Sequence, residues 1–387
     1  MSQLHAALGA SKICSFGYGS PQVNHHFERA RQLNRNSGDI NQQFVALYGK
    51  WWYSMVADST VEGKRLGLEL ASIAEQSGDV ALKIMATRAC GYIDWQEGNF
   101  DSAIGQYRLC RKLVEAKQLE FLAHRFGGSD PFIGLSSMTG FCHCYLGYLD
   151  QGITTGELAV QMSVKVNHPV TECFSRLSLA QVYQLHGRID DVREQTEIII
   201  SIAERLSLKL YSGWAPPLLG WAQAHGGDIK QGIENIRRGI DLSESTGTLT
   251  QGTAWRALLA GVYLIQGNLD ACEATPGEAR KRSELSGERF WASEIARLQG
   301  NVATHRGDRS DIEEAENHLN HAVDIARQQN ARLWELRSSI DLAALWANQH
   351  RIDDARQLLH PVSSWFSEGG GHPDVIKARQ LLQSLQY

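Results

Sequence analysis

Long apolar runs and a targeting segment are both absent from the 387-residue sequence. No stretch reaches the roughly 18 consecutive apolar residues that a membrane-spanning helix needs. No signal peptide is recognisable at the start of the chain. Cysteine is also scarce, since the seven cysteines are an odd number in a long chain, which suits thiols that stay reduced. We therefore expect a soluble, cytoplasmic protein without a membrane partner.

An excess of basic charge is missing as well. The formal net charge is −5 and the sequence pI is about 6.3. Lys and Arg are scattered among Asp and Glu rather than gathered in runs. A protein that binds nucleic acid usually presents a basic field to the phosphates. The composition therefore argues against a nucleic-acid partner.

Catalytic and cofactor motifs are lacking too. A Gly-x-Ser-x-Gly string is absent, and the pair Gly63-Lys64 follows Asp58 where a phosphate-binding loop needs glycine. Cys142 and Cys144 stand two apart in an expected helix, so their sulfurs point to nearly opposite sides and do not suit one metal ion. The sequence predicts no catalytic residues, no cofactor and no metal. An enzyme assembled from distant parts of the chain stays open.

A repeat is the strongest positive feature of the sequence. Four glycines are spaced 40 residues apart, and a small residue precedes each by seven positions: Gly187, Gly227, Gly267 and Gly307, preceded by Ala180, Gly220, Ala260 and Gly300. A glycine can end one helix in a left-handed conformation, and a small residue lets the next helix approach. The period predicts an all-α, right-handed α-solenoid of stacked helical hairpins.

The same pattern extends beyond those four units. It recurs at Gly98, at Gly147 and around His350, so we predict about nine hairpins in a single repeat domain spanning residues 1–387, closed by a capping helix near residues 373–386. Gly98 and Gly147 are 49 residues apart, which places an insert near residues 118–131. The insert is either a longer turn or a loop that binds a partner.

Prolines interrupt the pattern in two places. Pro216 and Pro217 fall inside an expected first helix of a hairpin, and Pro276 falls inside an expected second helix. Proline removes a backbone donor and pushes its ring against the preceding turn. We therefore expect a kinked or interrupted helix at both places.

The repeat register assigns side chains to a concave groove. Aromatic and Arg side chains are common anchors of recognition surfaces, although packing between hairpins is an alternative role for each of them. The predicted groove residues are Trp52, Arg88, Tyr92, Trp95, Phe141, Gln181, Trp214, Trp221, Arg297 and Asn301, and the predicted insert residues are His124, Arg125 and Asp130.

The two-helix unit resembles the tetratricopeptide repeat, although 40 residues exceeds the usual length of about 34. Residues 286–294, 327–337 and 358–369 resemble segments of the helical-repeat region that follows the catalytic and ATPase modules in bacterial class III adenylate/guanylate cyclases. The resemblance implies a region that receives a signal or a partner, either encoded alone or cut from a larger chain. No string in this sequence matches the phosphate-binding loop of those relatives, so their catalytic activity is not implied.

Three functions remain from the sequence. The first is a non-enzymatic scaffold that binds a protein or peptide in its concave groove. The second is a small-molecule sensor module, favoured by the aromatic groove. The third is an enzyme without recognisable motifs, for which the insert and the pair Pro216-Pro217 are the only irregularities to consider.

Overall fold

The computed structural model describes residues 1–17, 19–34, 39–57, 60–117 and 122–385, with only the backbone at residues 14, 15, 124 and 125. All regular secondary structure in these ranges is helical, as the repeat predicts. Consecutive helices pack in pairs, and within the described ranges these pairs form nine hairpins. The single-domain boundary at residues 1–387 stays a prediction.

The first helices of the hairpins are α1 (Ser2–Phe16), α3 (Ile40–Ala57), α5 (Val80–Gln96), α8 (Pro131–Tyr145), α10 (Pro169–Leu185), α12 (Lys209–His225), α14 (Gly252–Gln266), α16 (Ala292–Arg306) and α18 (Arg332–Asn348). The second helices are α2 (Pro21–Asn34), α4 (Thr60–Ser77), α6 (Phe100–Lys117), α9 (Leu149–Lys165), α11 (Ile189–Leu206), α13 (Ile229–Ser245), α15 (Leu269–Ser286), α17 (Arg309–Gln328) and α19 (Ile352–Trp365). The short α7 (Ala123–Phe126) belongs to the insert, and α20 (Pro373–Ser384) covers the end of the stack. Residues 118–121 of the predicted insert and residue 386 of the predicted cap lie outside the described residues.

The repeated glycines make the turns within the hairpins. The four glycines of the 40-residue period have φ angles between 69° and 103°, in the left-handed region that disfavours other residues. In the last hairpin His350 takes this position with φ 63°. The predicted left-handed turns are therefore confirmed, and the last one uses a residue that carries a Cβ.

The small residues allow close contact between helix backbones, for example between α12 and α13. A Cβ added to Gly220 would lie 2.4 Å from the carbonyl oxygen of Gly232. Gly140 in α8 faces Gly152 in α9 in the same way, at 3.1 Å. At both places the backbone of one helix contacts the backbone of the next. Even the methyl group of an alanine in place of the glycine would therefore force the two helices apart.

Of the predicted kink or interruption at the prolines, the interruption is wrong. Helix α12 continues through Pro216 and Pro217, and α15 continues through Pro276. Tertiary packing explains the first case, because α13 presents Gly239 to the Pro217 ring, where an added Cβ would lie 2.4 Å from Pro217 Cδ. Helix α19 also contains an internal proline, Pro361, which the repeat pattern does not identify.

The superhelix closes on itself, because hairpins from the first half of the chain contact loops from the second half. Backbone bonds of 2.6 Å join Leu249 N to the Val56 carbonyl and Arg289 N to the Gln96 carbonyl. Further along, the Glu368 carboxylate accepts hydrogen bonds from the first backbone N–H groups of α9. We call these contacts between the two halves the closing seam.

A buried carboxylate anchors the closing seam. Glu288 is 1% exposed and accepts hydrogen bonds from Thr250 Oγ1 (2.9 Å), Gln251 N (2.6 Å) and Thr253 Oγ1 (2.8 Å). Thr250 in turn accepts a hydrogen bond from Gln96 Nε2 in the first half of the chain, at 2.7 Å. A buried charge is tolerated when its lone pairs are satisfied in this way.

Candidate functional site

A cavity of about 430 Å³ opens among the first helices of the hairpins. First helices α10, α12, α14, α16 and α18 line it, and the start of α20 closes one side. It therefore spans both halves of the chain across the closing seam. Its volume lies within the range of about 300–1,000 Å³ that is usual for ligand pockets.

Three cations and three anions line the cavity, namely Arg297, Arg337 and Lys377 with Glu294, Asp341 and Asp374. Arg297 makes two hydrogen bonds to Glu294, at 2.6 and 2.8 Å, and one to Asp341 at 2.5 Å. Burial alone would raise the pKa of Asp341, but the charges of Arg297 and Lys377 bring it below its usual value. Burial would lower the pKa of Arg297, but the charges and hydrogen bonds of Glu294 and Asp341 hold it above its ordinary value.

A second ion pair joins α18 to the capping helix, and its arginine also bonds to α10. Arg337 Nε donates to Asp374 at 2.6 Å, and the Arg337 guanidinium also donates to the Leu185 carbonyl at 2.7 Å. His372 Nε2 lies 3.1 Å from the same carbonyl. Burial lowers the pKa of His372 to about 4, so this imidazole is neutral at neutral pH and donates to Leu185.

The rest of the cavity wall is largely apolar. Trp221 and His225 lie one turn apart on α12 with their rings 4.4 Å apart. Burial lowers the pKa of His225, so this ring is also neutral at neutral pH. Aliphatic side chains complete the wall, among them Leu185, Leu258, Leu264, Ile265, Leu298 and Ile340.

Two amide groups in the wall retain free hydrogen-bonding capacity. Gln184 lines the cavity and is 6% exposed, and its side-chain amide has no hydrogen-bond partner among the described residues. Asn301 donates from Nδ2 to Asp341 at 2.9 Å, which leaves its amide oxygen to accept. Buried polar groups are normally paired, so these amides are the groups most available to a bound molecule.

The structure brings three of the predicted groove residues together in this cavity, namely Trp221, Arg297 and Asn301. Gln181 and Trp214 are buried outside it, with 5% and 3% exposure. Tyr92, Trp95 and Phe141 are buried in the first half of the chain, and loops from the second half pack against Tyr92 and Trp95. Trp95, for example, has its ring 4.3 Å from that of Phe290.

Arg88 and the insert are linked to each other. The Arg88 guanidinium is buried, donates to the Ser129 carbonyl at 2.9 Å and to Ser129 Oγ at 2.6 Å, and lies over the half-buried Trp52 ring at 5.4 Å. Asp130 is buried as well and caps α8 by accepting from Phe132 N and Ile133 N. The side chains of His124 and Arg125 lie outside the described residues. Arg88 and Asp130 thus hold the insert in place within the fold.

Several cavity residues were missed by sequence reasoning. Gln184 stands three positions before Gly187, as Trp95 stands three before Gly98, so the repeat register could have identified it. Arg337 stands thirteen positions before His350. The predicted groove positions are counted from the turn glycines, and the last hairpin has His350 in place of that glycine. His372 and Asp374 follow the last hairpin, and no repeat signal places them beside α10.

Metal binding has no support in the described part of the chain, where no group of three or more His, Cys, Asp or Glu side chains is arranged to hold an ion. Cys142 and Cys144 are buried, and burial raises the pKa of both thiols. In the described ranges, no helix combines the length and apolar character that crossing a membrane requires.

Comparison with known proteins identifies the fold. No protein-family model matches the chain. The chain is 23% identical over 336 residues to the uncharacterized protein R02095 of Rhizobium meliloti (strain 1021), a match that covers 84% of this chain and 31% of that protein. It therefore spans about a third of the length of the curated relative that it matches.

Solved structures align over the whole chain. A Rap protein complexed with competence and sporulation factor aligns with a TM-score of 0.62 and 12% identity, covering 100% of this chain and 97% of that one. NprR in complex with its cognate peptide NprX gives 0.57 and 10%, covering 100% and 99%. A chain of the APC/C hetero-tetramer Cut9-Hcn1 gives 0.56 and 12%, covering 100% and 76%. The fold is a tetratricopeptide-like solenoid.

Proposed function

We propose that the chain is a non-enzymatic scaffold that holds a peptide or a protein segment in its concave cavity, in bacterial signalling or regulation. The observation that carries this proposal is the 430 Å³ cavity, which is lined by first helices of the hairpins and combines an apolar wall with available amide groups. Helical solenoids commonly use their concave surface for binding. Two of the structures that share the fold are complexes, one with competence and sporulation factor and one with the peptide NprX, which supports a peptide occupant.

The electrostatics of the cavity favour binding over catalysis. A general acid or base needs a pKa near the working pH, which usually requires a carboxylate with a raised pKa. The shifted carboxylates in the cavity, Asp341 and Asp374, have lowered pKa values because Arg297 and Arg337 stabilise their ionised forms. They therefore serve as fixed partners of arginine.

The chain fits best as a sensing region of a larger cytoplasmic signalling protein, of the kind in which helical repeats follow cyclase and ATPase modules. The residue segments that resemble such proteins and the match to about a third of R02095 support this placement. The six cysteines whose side chains are described are all free, which suits a reducing compartment. An immunoblot of the native host checks this placement, because a sensing region should appear in a polypeptide much longer than 387 residues.

A steric plug tests the cavity directly. Gly261 lines the cavity, and a Cβ added there would meet nothing within 4 Å, so Gly261→Phe fills the space without displacing the backbone. Random peptides displayed on phage are first selected on the wild-type protein, and binding of the selected peptides is then measured by titration. We expect Gly261→Phe to weaken binding at least tenfold.

The matched control is Gly105→Phe, on the outer helix α6, where an added Cβ also meets nothing within 4 Å. This control should bind the selected peptides like the wild type. If no peptide is selected, or if Gly261→Phe binds as well as Gly105→Phe, the proposed function is wrong.

A small-molecule effector is the second candidate, favoured by the cavity volume. A thermal-shift screen of metabolites distinguishes the two, because a bound effector stabilises the folded protein. Stabilisation of the wild type that is lost in Gly261→Phe and kept in Gly105→Phe would favour this candidate.

A further inference from the structure

The lining of the cavity suggests which peptides it accepts. We propose that the cavity selects an uncharged peptide segment, with an apolar side chain against Trp221 and a backbone peptide group hydrogen-bonded to Gln184. This inference rests on the proposed function and adds the chemistry of the ligand to it.

The charged side chains of the cavity lining balance one another. The three cations and three anions of the lining are paired with one another, through Arg297 with Glu294 and Asp341, Lys377 with Asp341, and Arg337 with Asp374. The two lining histidines are neutral at neutral pH. A charged ligand group would lose its hydration and find no uncompensated opposite charge, so an uncharged group is favoured.

The side-chain amide of Gln184 is available to hydrogen-bond a ligand. The Gln184 side chain lines the cavity and makes no hydrogen bond to a described residue, so its amide is left to water or to a molecule that enters the cavity. A peptide group offers one donor and one acceptor, which complement the amide oxygen and NH2 of glutamine. Leu185 and Trp221 belong to the same wall and offer apolar surface beside this amide.

A neighbouring glutamine provides a matched control. Gln181 lies one turn earlier on the same helix α10, is 5% exposed and likewise has no side-chain hydrogen bond among the described residues, but it does not line the cavity. Leucine has a similar size and removes the amide from either position. Differences between Gln184→Leu and Gln181→Leu therefore report the cavity rather than the general effect of removing a buried amide.

The test uses the peptides selected by display on the wild-type protein. We expect the selected peptides to share an uncharged core that contains a large apolar residue. Titration of these peptides should give about tenfold weaker binding for Gln184→Leu, which is the loss of roughly one good hydrogen bond, and less than twofold change for Gln181→Leu. Thermal unfolding of ligand-free Gln184→Leu should occur near the wild-type temperature, because no hydrogen bond within the described protein is lost.

The results of these experiments distinguish a failure of this inference from a failure of the proposed function. If peptides are selected and lose affinity in Gly261→Phe, but their cores carry acidic or basic residues or their affinity is unchanged in Gln184→Leu, the inference is wrong and the proposed function stands. If equal losses occur in Gln181→Leu and Gln184→Leu, the assignment of Gln184 as the contact is also wrong. If no peptide is selected at all, the proposed function itself fails.

Discussion

The left-handed glycine that follows first helices such as α14 is the residue-scale feature on which the repeat depends. Gly267 has φ 74°, and a Cβ added there would meet nothing within 4 Å. Space is therefore not the constraint at this turn. The constraint is the backbone conformation, which disfavours any residue that carries a Cβ.

Alanine substitutions separate conformation from space. We expect Gly267→Ala to lower the free energy of unfolding by about 1 kcal/mol because of its positive φ. Gly105 lies inside helix α6 with equally open surroundings, so Gly105→Ala should raise the free energy of unfolding by about 0.5–1 kcal/mol. Urea denaturation measures both. Equal effects of the two substitutions would contradict the conformational explanation.

The buried imidazole of His372 makes stability depend on pH. Its pKa falls from 6.5 to about 4 on folding, mainly through burial, so the folded state disfavours protonation. The stabilising contribution is fully present above about pH 6.5 and is lost as the pH falls toward 4.

We expect the free energy of unfolding of the wild type to fall between pH 7 and pH 5. That of His372→Gln should fall by roughly 2 kcal/mol less over the same interval. Denaturant unfolding at the two pH values measures the difference. Four other described histidines, His26, His143, His186 and His225, also have lowered pKa values, so the comparison with the variant isolates the share of His372. Parallel pH profiles for the two proteins would contradict this assignment.

At the scale of elements, the hairpin is the unit that sequence predicts well. The spacing of glycine and small residues predicted the turns, and the structure confirms them because both features act within about 40 residues of chain. The prolines show the limit of this reasoning. Local rules predicted a kinked or interrupted helix at Pro217, but α12 continues through it. Gly239 on the neighbouring helix accommodates the proline ring, and the sequence around Pro217 does not reveal that contact.

Glu288 connects elements that are distant in sequence, and removal of its carboxylate should lower the free energy of unfolding. Glu288→Ala leaves two buried hydroxyl groups and one buried N–H without their acceptor. We expect a loss of about 3 kcal/mol or more in the free energy of unfolding. Glu288→Gln keeps the shape and one acceptor oxygen, so it should lose less. If the two variants were equally stable in denaturant unfolding, the hydrogen bonds of Glu288 would not be what stabilises the closing seam.

At the scale of the whole molecule, closure of the superhelix decides which predicted groove residues remain accessible. Repeat register assigns side chains to the concave face, but it carries no information on how tightly the superhelix winds. The closing seam covers Trp95, whose ring meets that of Phe290, and leaves Trp221, Arg297 and Asn301 lining an open cavity. Contacts between the two halves, such as Arg337 with Leu185, arise from winding and could not be derived from a single repeat.

Winding also makes the cavity a junction between the two halves. Its lining includes Gln184 and Leu185 from α10 together with Arg337, His372 and Asp374 from the end of the chain. A ligand that contacts both sides therefore adds interactions across the closing seam. Binding should stabilise the closed superhelix as well as occupy the cavity.

The central claim is that a peptide binds in this cavity, and hydrogen–deuterium exchange with and without a selected peptide tests it most directly. We predict slower exchange of backbone amides in α10, α12, α14, α16, α18 and α20 when the peptide is bound, with little change in the outer helices α2, α4 and α6. Protection confined to the outer helices, with unchanged exchange in the helices that line the cavity, would contradict the claim.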